Sequence, residues 1–202
     1  MRSFAGIDER PVLVAVAGPN GAGKTTFYHA HLAPCGLRFV NADVLASALS
    51  LEPYAAARLA DAIRRELVNR RESFAFETVF LDPAGEKLAQ LRAAAEAGYR
   101  VVLCYIGLAD PNLSEERVAM RVSQGGHDVP SAKLRSRFPR TLANLKAAKG
   151  ELPHVLVFDN SDLRRPFRRV ATFQKGRRTD RAKAAPAWLK ALLNEQAVDG
   201  SP

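Results

Sequence analysis

The sequence is poor in cysteine and has no long apolar run. Its 202 residues include two cysteines, Cys35 and Cys104, without the spacing of a metal site or a disulfide framework. Small buried thiols in a reducing compartment are the simpler interpretation. No apolar stretch is long enough to span a bilayer, and residues 1–4 do not begin a signal-peptide core. These absences predict a cytoplasmic protein with no membrane partner.

Internal repeats and aromatic platforms are also lacking, although the chain is strongly basic. The net charge is +9, and the surplus lies in residues 115–183, which hold 17 basic and 7 acidic side chains. Such a region could attract a polyanion or a nucleic acid. Nucleic-acid binding usually brings stacked aromatic side chains or a recognition helix, and the sequence shows neither. We therefore do not expect a nucleic acid as the main partner.

What the sequence does contain is a phosphate-binding loop. A nine-residue run matches G-x-x-x-x-G-K-[ST] and directly follows the apolar run at 12–17. Glycines let backbone N–H groups turn toward a phosphate, the lysine adds a cation, and the threonine hydroxyl can reach Mg²⁺. The run predicts an ATP site, with Thr25 on the metal ion, made of Gly18, Pro19, Asn20, Gly21, Ala22, Gly23, Lys24, Thr25 and Thr26.

Strand-like runs alternate with segments of helical periodicity. Strands are predicted at 12–17, 37–40, 74–80, 100–107 and 154–158, and helices at 25–32, from Pro53, from Asp82-Pro83, and at 112–122, 131–149 and 186–193. The alternation indicates an α/β fold, a P-loop NTPase-like parallel sheet with helices on both faces. Ligands of such sheets bind beyond the carboxyl ends of the strands. Four side chains should gather there, those of Lys24, Asp43, Glu77 and Asp159.

Two large classes of P-loop protein find no support in the sequence. An ABC-type ATPase has a similar loop, but it also needs a Leu-Ser-Gly-Gly-Gln-like motif and a strand ending in Asp-Glu. Here Asp159 is followed by Asn160, and no such motif precedes it. A GTPase would carry an Asn-Lys-x-Asp element, which is absent. A small-molecule kinase, which positions a hydroxyl and often closes a basic lid, agrees better with the residues.

Candidate kinase residues stand near the predicted strand ends. Asp43 could take the proton of an acceptor hydroxyl, or it could be the N-cap of the next helix. Glu77 lies in an apolar strand, so it needs a partner, either a ligand or a structural arginine. The break at 124–130 contains His127, which could brace a lid or take part in the chemistry. Arginines around this break could contact phosphate or be solvated, namely Arg121, Arg135, Arg137 and Arg140.

Six motifs occur in one order along residues 12–170. They are the loop at 18–26, Asn41-Ala42-Asp43, Phe76-Glu77-Thr78, Arg121 with residues 125–130, Arg137-Phe138 with Asn144-Leu145, and Asp159-Asn160-Ser161. Together they resemble the zeta-toxin family of bacterial kinases, in particular its small members. The resemblance implies ATP- and Mg²⁺-dependent phosphorylation of a hydroxyl of a UDP-activated amino sugar, typically UDP-N-acetylglucosamine. It also implies an antitoxin protein as a partner.

The same resemblance implies a role for each matching residue. Asp43 would be the general base, and Lys24 would contact the phosphates. Arg121 and Arg137 would be lid arginines that stabilise the transferring phosphoryl group. The acceptor side would be formed by Asn41, Glu77 and Thr78. The chain is shorter than the larger toxins, and it has Val79-Phe80-Leu81 where many of them have Thr-Leu-Ser.

We predict one kinase domain over residues 1–175, with a lid at about 117–140. A basic C-terminal extension with a short helix follows over 176–202. Two other functions also fit the residues. One is a kinase of another nucleotide or dinucleotide metabolite, and the other is a nucleic-acid-associated ATPase switch that uses the basic region. A salt-titrated binding assay identifies the latter, because binding to a phosphate backbone weakens steeply with salt.

Overall fold

The computed structural model describes residues 9–81, 85–125, 128–180 and 185–194. Within these ranges seven strands form one sheet: β1 (Val12–Ala17), β2 (Arg38–Val40), β3 (Phe74–Thr78), β4 (Arg100–Gly107), β5 (His154–Asp159), β6 (Arg168–Gln174) and β7 (Arg177–Arg178). Their order across the sheet is β2-β3-β1-β4-β5-β6-β7. The first five strands are parallel to one another. The strand β6 is antiparallel to β5, and β7 is antiparallel to β6. None of the described helices is both long and apolar enough to cross a membrane.

Helices cover both faces of the sheet, as the alternating pattern predicts. They are α1 (Lys24–Phe27), α2 (Ala42–Leu49), α3 (Pro53–Asn69), α4 (Glu86–Glu96), α5 (Pro111–Ser123), α6 (Ser131–Glu151) and α7 (Ala187–Asn194). All six residues of β1 are buried, because a central parallel strand is covered on both faces. One core face packs Leu67, Leu91 and Leu145 against the sheet, and the other packs Phe27 and Phe138. The predicted α/β fold is confirmed.

Most predicted helices are confirmed within one or two residues of their ends. The segment at 25–32 is the main departure, because α1 continues as a π-helix over Tyr28–Leu32 rather than as a regular α-helix. The predicted helix start at Asp82-Pro83 lies outside the described residues. The strand β6 was not anticipated, and the short helix α2 was anticipated only as a helix after Asp43 without bounds, since neither has a long run of one periodicity.

The chain beyond residue 175 packs against the rest of the fold where it is described. The strand β7 pairs with β6, so the sheet continues across the predicted start of the C-terminal extension. The predicted short helix is present as α7, and its Leu189 and Leu192 belong to a core face. Lys149, which is buried, donates a hydrogen bond from Nζ to the Leu192 carbonyl at 2.9 Å. Residues 181–184 and 195–202 of the extension lie outside the described residues.

Candidate functional site

The phosphate-binding loop follows β1 and depends on its glycines. Gly18, Gly21 and Gly23 have φ angles of 143°, 71° and 83°, which side chains disfavour. A Cβ on Gly18 would lie 2.2 Å from the Ile106 carbonyl oxygen of the neighbouring strand. A Cβ on Gly23 would lie 2.9 Å from Asn160 Nδ2. The glycines are therefore needed for the shape of the loop and for its close packing on adjacent elements.

Three side chains fix the shape of the loop through its carbonyl groups. Ser114 Oγ, from α5, donates to the Asn20 carbonyl at 2.7 Å. Asn160 Nδ2, just after β5, donates to the Ala22 carbonyl at 2.9 Å. Lys24 Nζ donates to the Pro19 carbonyl at 3.0 Å. Since a protein donor holds each of these carbonyls, contacts within the protein fix the conformation of the loop.

We expect Gly18→Ala to destabilise the protein and to weaken ATP binding. The new Cβ would meet a backbone oxygen, which cannot move aside as a flexible side chain could. Together with the strained φ angle, this should cost roughly 1–3 kcal/mol of unfolding free energy. The matched control is Gly150→Ala in α6, where a Cβ meets nothing within 4 Å. That change should be neutral or stabilising in thermal unfolding. Equal melting temperatures for the two variants would contradict the packing argument.

A carboxylate that is only 16% exposed joins the loop to β3, the neighbouring strand in the sheet. In the β1–β3 register Glu77 lies beside Val16, so its side chain reaches the loop that follows β1. Glu77 Oε2 accepts from Thr25 Oγ1 at 2.7 Å and from Asn41 Nδ2 at 2.9 Å, and Oε1 lies 3.6 Å from Lys24 Nζ. The sequence interpretation required a ligand or an arginine for this carboxylate. A lysine, a hydroxyl and an amide supply the described contacts instead.

The Lys24 ammonium shows which other charges are close to the loop. Burial lowers the pKa of Lys24, the charges of Glu77 and Asp43 act to raise it, and the charge of Arg121 acts to lower it. Because such Coulomb effects weaken with distance, Asp43 and Arg121 both lie within electrostatic reach of the ammonium. The structure thus brings together Lys24, Thr25, Asp43, Glu77 and Arg121, which the sequence predicted as site residues.

Asp43 is not the N-cap of α2. The cap is Asn41, whose Oδ1 accepts from the backbone N–H groups of Asp43 at 2.8 Å and Val44 at 3.3 Å. The N-cap alternative for Asp43 is therefore wrong. The Asp43 carboxylate lies in the first turn of the helix and is exposed to solvent. Helix capping therefore does not occupy this carboxylate, and it can contact a bound molecule.

A cleft of about 210 Å³ is lined by Asp43 and by Glu77, the carboxylate that contacts Lys24 and Thr25 of the loop. Asn41 is buried in its wall, where it both caps α2 and contacts Glu77. Thr78 lines the same cleft at the end of β3. The polar and charged residues that line it include Asn41, Asp43, Arg64, Glu77, Thr78 and Lys87. The cleft can hold a small polar molecule in contact with the predicted base and with Glu77.

The two predicted lid arginines stand on a pair of packed helices. Arg121 is in the last turn of α5 and is exposed, and Arg137 is in α6 and half-buried. The two helices are joined by an ion pair between Arg135 and Glu115, with Nε and Oε1 2.7 Å apart. In the sequence, His127 falls between α5 and α6, at a position outside the described residues. Arg121 lies close enough to Lys24 for its charge to act on the ammonium, whereas Arg137 forms no hydrogen bond or ion pair with the described residues.

Asp159, at the end of β5, is occupied by protein groups. It accepts from Ser161 Oγ at 2.6 Å, from Arg168 Nη2 at 3.1 Å and from Trp188 Nε1 at 3.3 Å. Burial acts to raise the pKa of Asp159, but the hydrogen bonds from these three residues and from the Ser161 backbone outweigh it and lower the pKa. Asp159 therefore fastens β6 and α7 to the end of β5.

Sequence reasoning did not single out several residues around the site. Ser114 braces the loop, and Arg117, one helical turn later, contacts the Ser161 carbonyl through Nη2 at 3.3 Å. Arg64 of α3 lines the cleft. Sequence periodicity identifies the apolar face of that helix, and it gives no information on the polar residues outside that face. A serine or an arginine in an amphipathic helix gives no signal that separates it from the solvated residues around it.

The fold and the loop define a class of protein. A parallel sheet in the order β2-β3-β1-β4-β5, with a phosphate-binding loop after β1, is a P-loop kinase-like fold. The family model described as AAA domain matches residues 13–137, more than half of the chain. The chain therefore belongs to this AAA domain family. No curated protein sequence matches it.

Solved structures share this fold at low sequence identity. The AvrRxo1-ORF1:AvrRxo1-ORF2 complex with sulphate ions matches with a TM-score of 0.71 and 19% identity, over 96% of this chain and 66% of that chain. The same pair with ATP matches with a TM-score of 0.62 and 19% identity, over 95% and 66%. The PezAT toxin–antitoxin system of Streptococcus pneumoniae matches with a TM-score of 0.60 and 14% identity, over 96% and 81%. This chain spans less than two thirds of the matched AvrRxo1 chains.

Proposed function

We propose that the protein is a kinase that transfers the γ-phosphoryl group of ATP to a hydroxyl of a UDP-activated amino sugar such as UDP-N-acetylglucosamine. One observation carries the proposal: Glu77, which contacts Lys24 and Thr25 of the loop, lines the same cleft as Asp43. A phosphate-binding loop beside a cleft with an exposed carboxylate is the arrangement that phosphoryl transfer to a hydroxyl requires. The family and the fold support the nucleotide side of the proposal.

The residues present fit a magnesium–nucleotide complex. Thr25 Oγ1 and Glu77 Oε2 are hard oxygen donors 2.7 Å apart, next to the Lys24 ammonium, and oxygen donors are what Mg²⁺ prefers. Thr25 would bind the ion, with Glu77 close to it, and the bound ion would supply neutralisation of the phosphate charge. Glu77 would then serve the nucleotide side of the site as well as the acceptor side that the sequence resemblance implies.

The roles of the protein groups follow from their positions. The loop N–H groups and Lys24 would hold the phosphates, and Asp43 would accept the proton of the attacking hydroxyl. Thr78 and Asn41 line the cleft together with Glu77, and they would position the acceptor there. Arg121, whose charge acts on Lys24, would approach the transferred group from α5. An antitoxin partner belongs to the same proposal, and the PezAT match supports it only through the shared fold.

The direct test is transfer to a defined acceptor. The protein is incubated with Mg²⁺, ATP and UDP-N-acetylglucosamine, and mass spectrometry is used to look for the gain of one phosphoryl group. A parallel incubation with a metabolite extract identifies another nucleotide or dinucleotide acceptor if one is used. Phosphorylation of neither would overturn the kinase proposal. Phosphorylation of a different metabolite alone would keep the kinase and replace the acceptor.

We expect Arg121→Ala and Arg137→Ala to lower kcat more than they raise the KM for ATP. Both arginines flank the break between α5 and α6, and charge that develops on the transferred group is their proposed target. The matched control is Arg140→Ala, which removes the same charge from an exposed position on α6. Steady-state kinetics of the three variants provides the measurement. If the first two changed only nucleotide affinity, the lid role would be wrong.

A further inference from the structure

Arg64 is an arginine of α3 that is turned into the protein. Its side chain is 12% exposed, and its guanidinium carbon lies 4.8 Å from the centroid of the Phe76 ring. Burial, together with the nearby charge of Arg65, lowers the pKa of Arg64 to about 10. The guanidinium is therefore still protonated at neutral pH. A positive charge in such a place costs free energy unless something compensates it.

Asp61 compensates this charge only in part. Arg64 Nη2 donates to Asp61 Oδ1, and the same oxygen accepts from Lys87 Nζ at 2.6 Å. One carboxylate oxygen of α3 thus serves two cations, one of them on α4. Arg64 Nε is buried and has no hydrogen-bond partner among the described residues. Since a guanidinium has five N–H donors, Asp61 leaves capacity for a second anion.

The position of Arg64 connects this capacity with the proposed acceptor site. Arg64 and Lys87 line the same cleft as Asp43, Glu77 and Thr78. The lining of the cleft therefore carries charges of both signs. The carboxylates are those of Asp43 and Glu77, and the cations are those of Arg64 and Lys87.

We propose that Arg64, with Lys87 beside it, binds an anionic group of the acceptor, a phosphate or a carboxylate, while the acceptor hydroxyl faces Asp43. This inference rests on the proposed function, because it takes the cleft as the acceptor site. A planar guanidinium matches an oxyanion in two parallel hydrogen bonds, which a neutral sugar cannot form. The diphosphate of a sugar nucleotide has the required chemistry, and the free sugar lacks it.

The test is binding of inorganic pyrophosphate, with the phosphate-binding loop first saturated with Mg²⁺ and a non-hydrolysable ATP analogue. The Arg64 Nε–H signal in a ¹⁵N–¹H spectrum should shift saturably as pyrophosphate is added. Calorimetry should show binding about tenfold weaker or more in Arg64→Met, which keeps an apolar stem over Phe76. The matched control is Arg65→Met, which removes the same charge from the exposed neighbouring residue and should bind like the wild type.

Two results would overturn the inference. One is an Arg64 Nε–H signal that does not respond to pyrophosphate in the wild-type protein, which decides the matter even if Arg64→Met fails to fold. The other is equal binding by the Arg64→Met and Arg65→Met proteins, which would leave Arg64 as a brace between α3 and α4. Neither readout requires phosphoryl transfer. Failure of the proposed function shows separately, as no mass gain on any acceptor.

Discussion

Lys24→Met is expected to reduce phosphoryl transfer by roughly 10³-fold while the fold is kept. The Lys24 ammonium is buried between the Pro19 carbonyl and Glu77, and in the proposed function its charge would face the nucleotide phosphates. Burial also lowers the pKa of Lys24, which means that burying the charged side chain costs free energy of folding. Removing the charge should therefore weaken the transition state far more than the folded state. Turnover and thermal unfolding are measured on the same preparation.

The matched control is Lys149→Met, which replaces another buried lysine with a carbonyl partner. Lys149 fastens α6 to α7 through the Leu192 carbonyl. Its replacement should lower the melting temperature and leave kcat within about a factor of three. If Lys24→Met retained nearly normal turnover, the loop would not be the phosphoryl-transfer site. If it unfolded as readily as Lys149→Met, the lysine would be mainly structural.

Asp43→Asn is expected to lower transfer by roughly 10²-fold or more, with little change in ATP binding. Asparagine keeps the size of the side chain but cannot accept the hydroxyl proton. Since Asn41 caps α2, the change at Asp43 removes no capping bond, and the melting temperature should stay within a few degrees. Single-turnover kinetics with saturating ATP measures the chemical step, and calorimetry measures nucleotide binding.

Asp110→Asn gives the same substitution at a position with a purely structural role. Asp110 is the N-cap of α5, where its Oδ1 accepts from the Leu113 N–H at 3.0 Å. Asparagine caps a helix about as well as aspartate, so both stability and transfer should be close to wild type. Normal turnover in Asp43→Asn would refute the general-base role, and the transfer reaction would then need another proton acceptor.

The fold could be predicted from the sequence because its signals are local. A buried strand followed by the loop motif, and apolar positions at regular spacing in α3 and α6, are properties of short segments. The edge strands could not be predicted in the same way. The strand β6 is rich in arginine, and β7 has two residues, so both depend on pairing with β5 and with each other.

The candidate site could be predicted only in its parts. The motif identified Lys24 and Thr25, and the rule for strand ends placed Asp43 and Glu77 near them. Which side chain pairs with Glu77 depends on the β1–β3 register, and which residue caps α2 depends on backbone angles. Neither the partner of Glu77 nor the cap of α2 can be read from the sequence of a single segment. Arg64 is the extreme case, because only the tertiary fold distinguishes it from the exposed Arg65 next to it.

The central position of β1 also determines when during folding the nucleotide site can form. Residues 13–17 pair with 74–78 on one side and residues 12–17 pair with 100–105 on the other, so the sheet that carries the loop is complete only when both distant segments are in place. Contacts between distant parts of a chain slow folding, because loop closure must precede them. Binding of a fluorescent ATP analogue during refolding would therefore report the completed central sheet. Added nucleotide would stabilise the finished fold by mass action without accelerating the early steps.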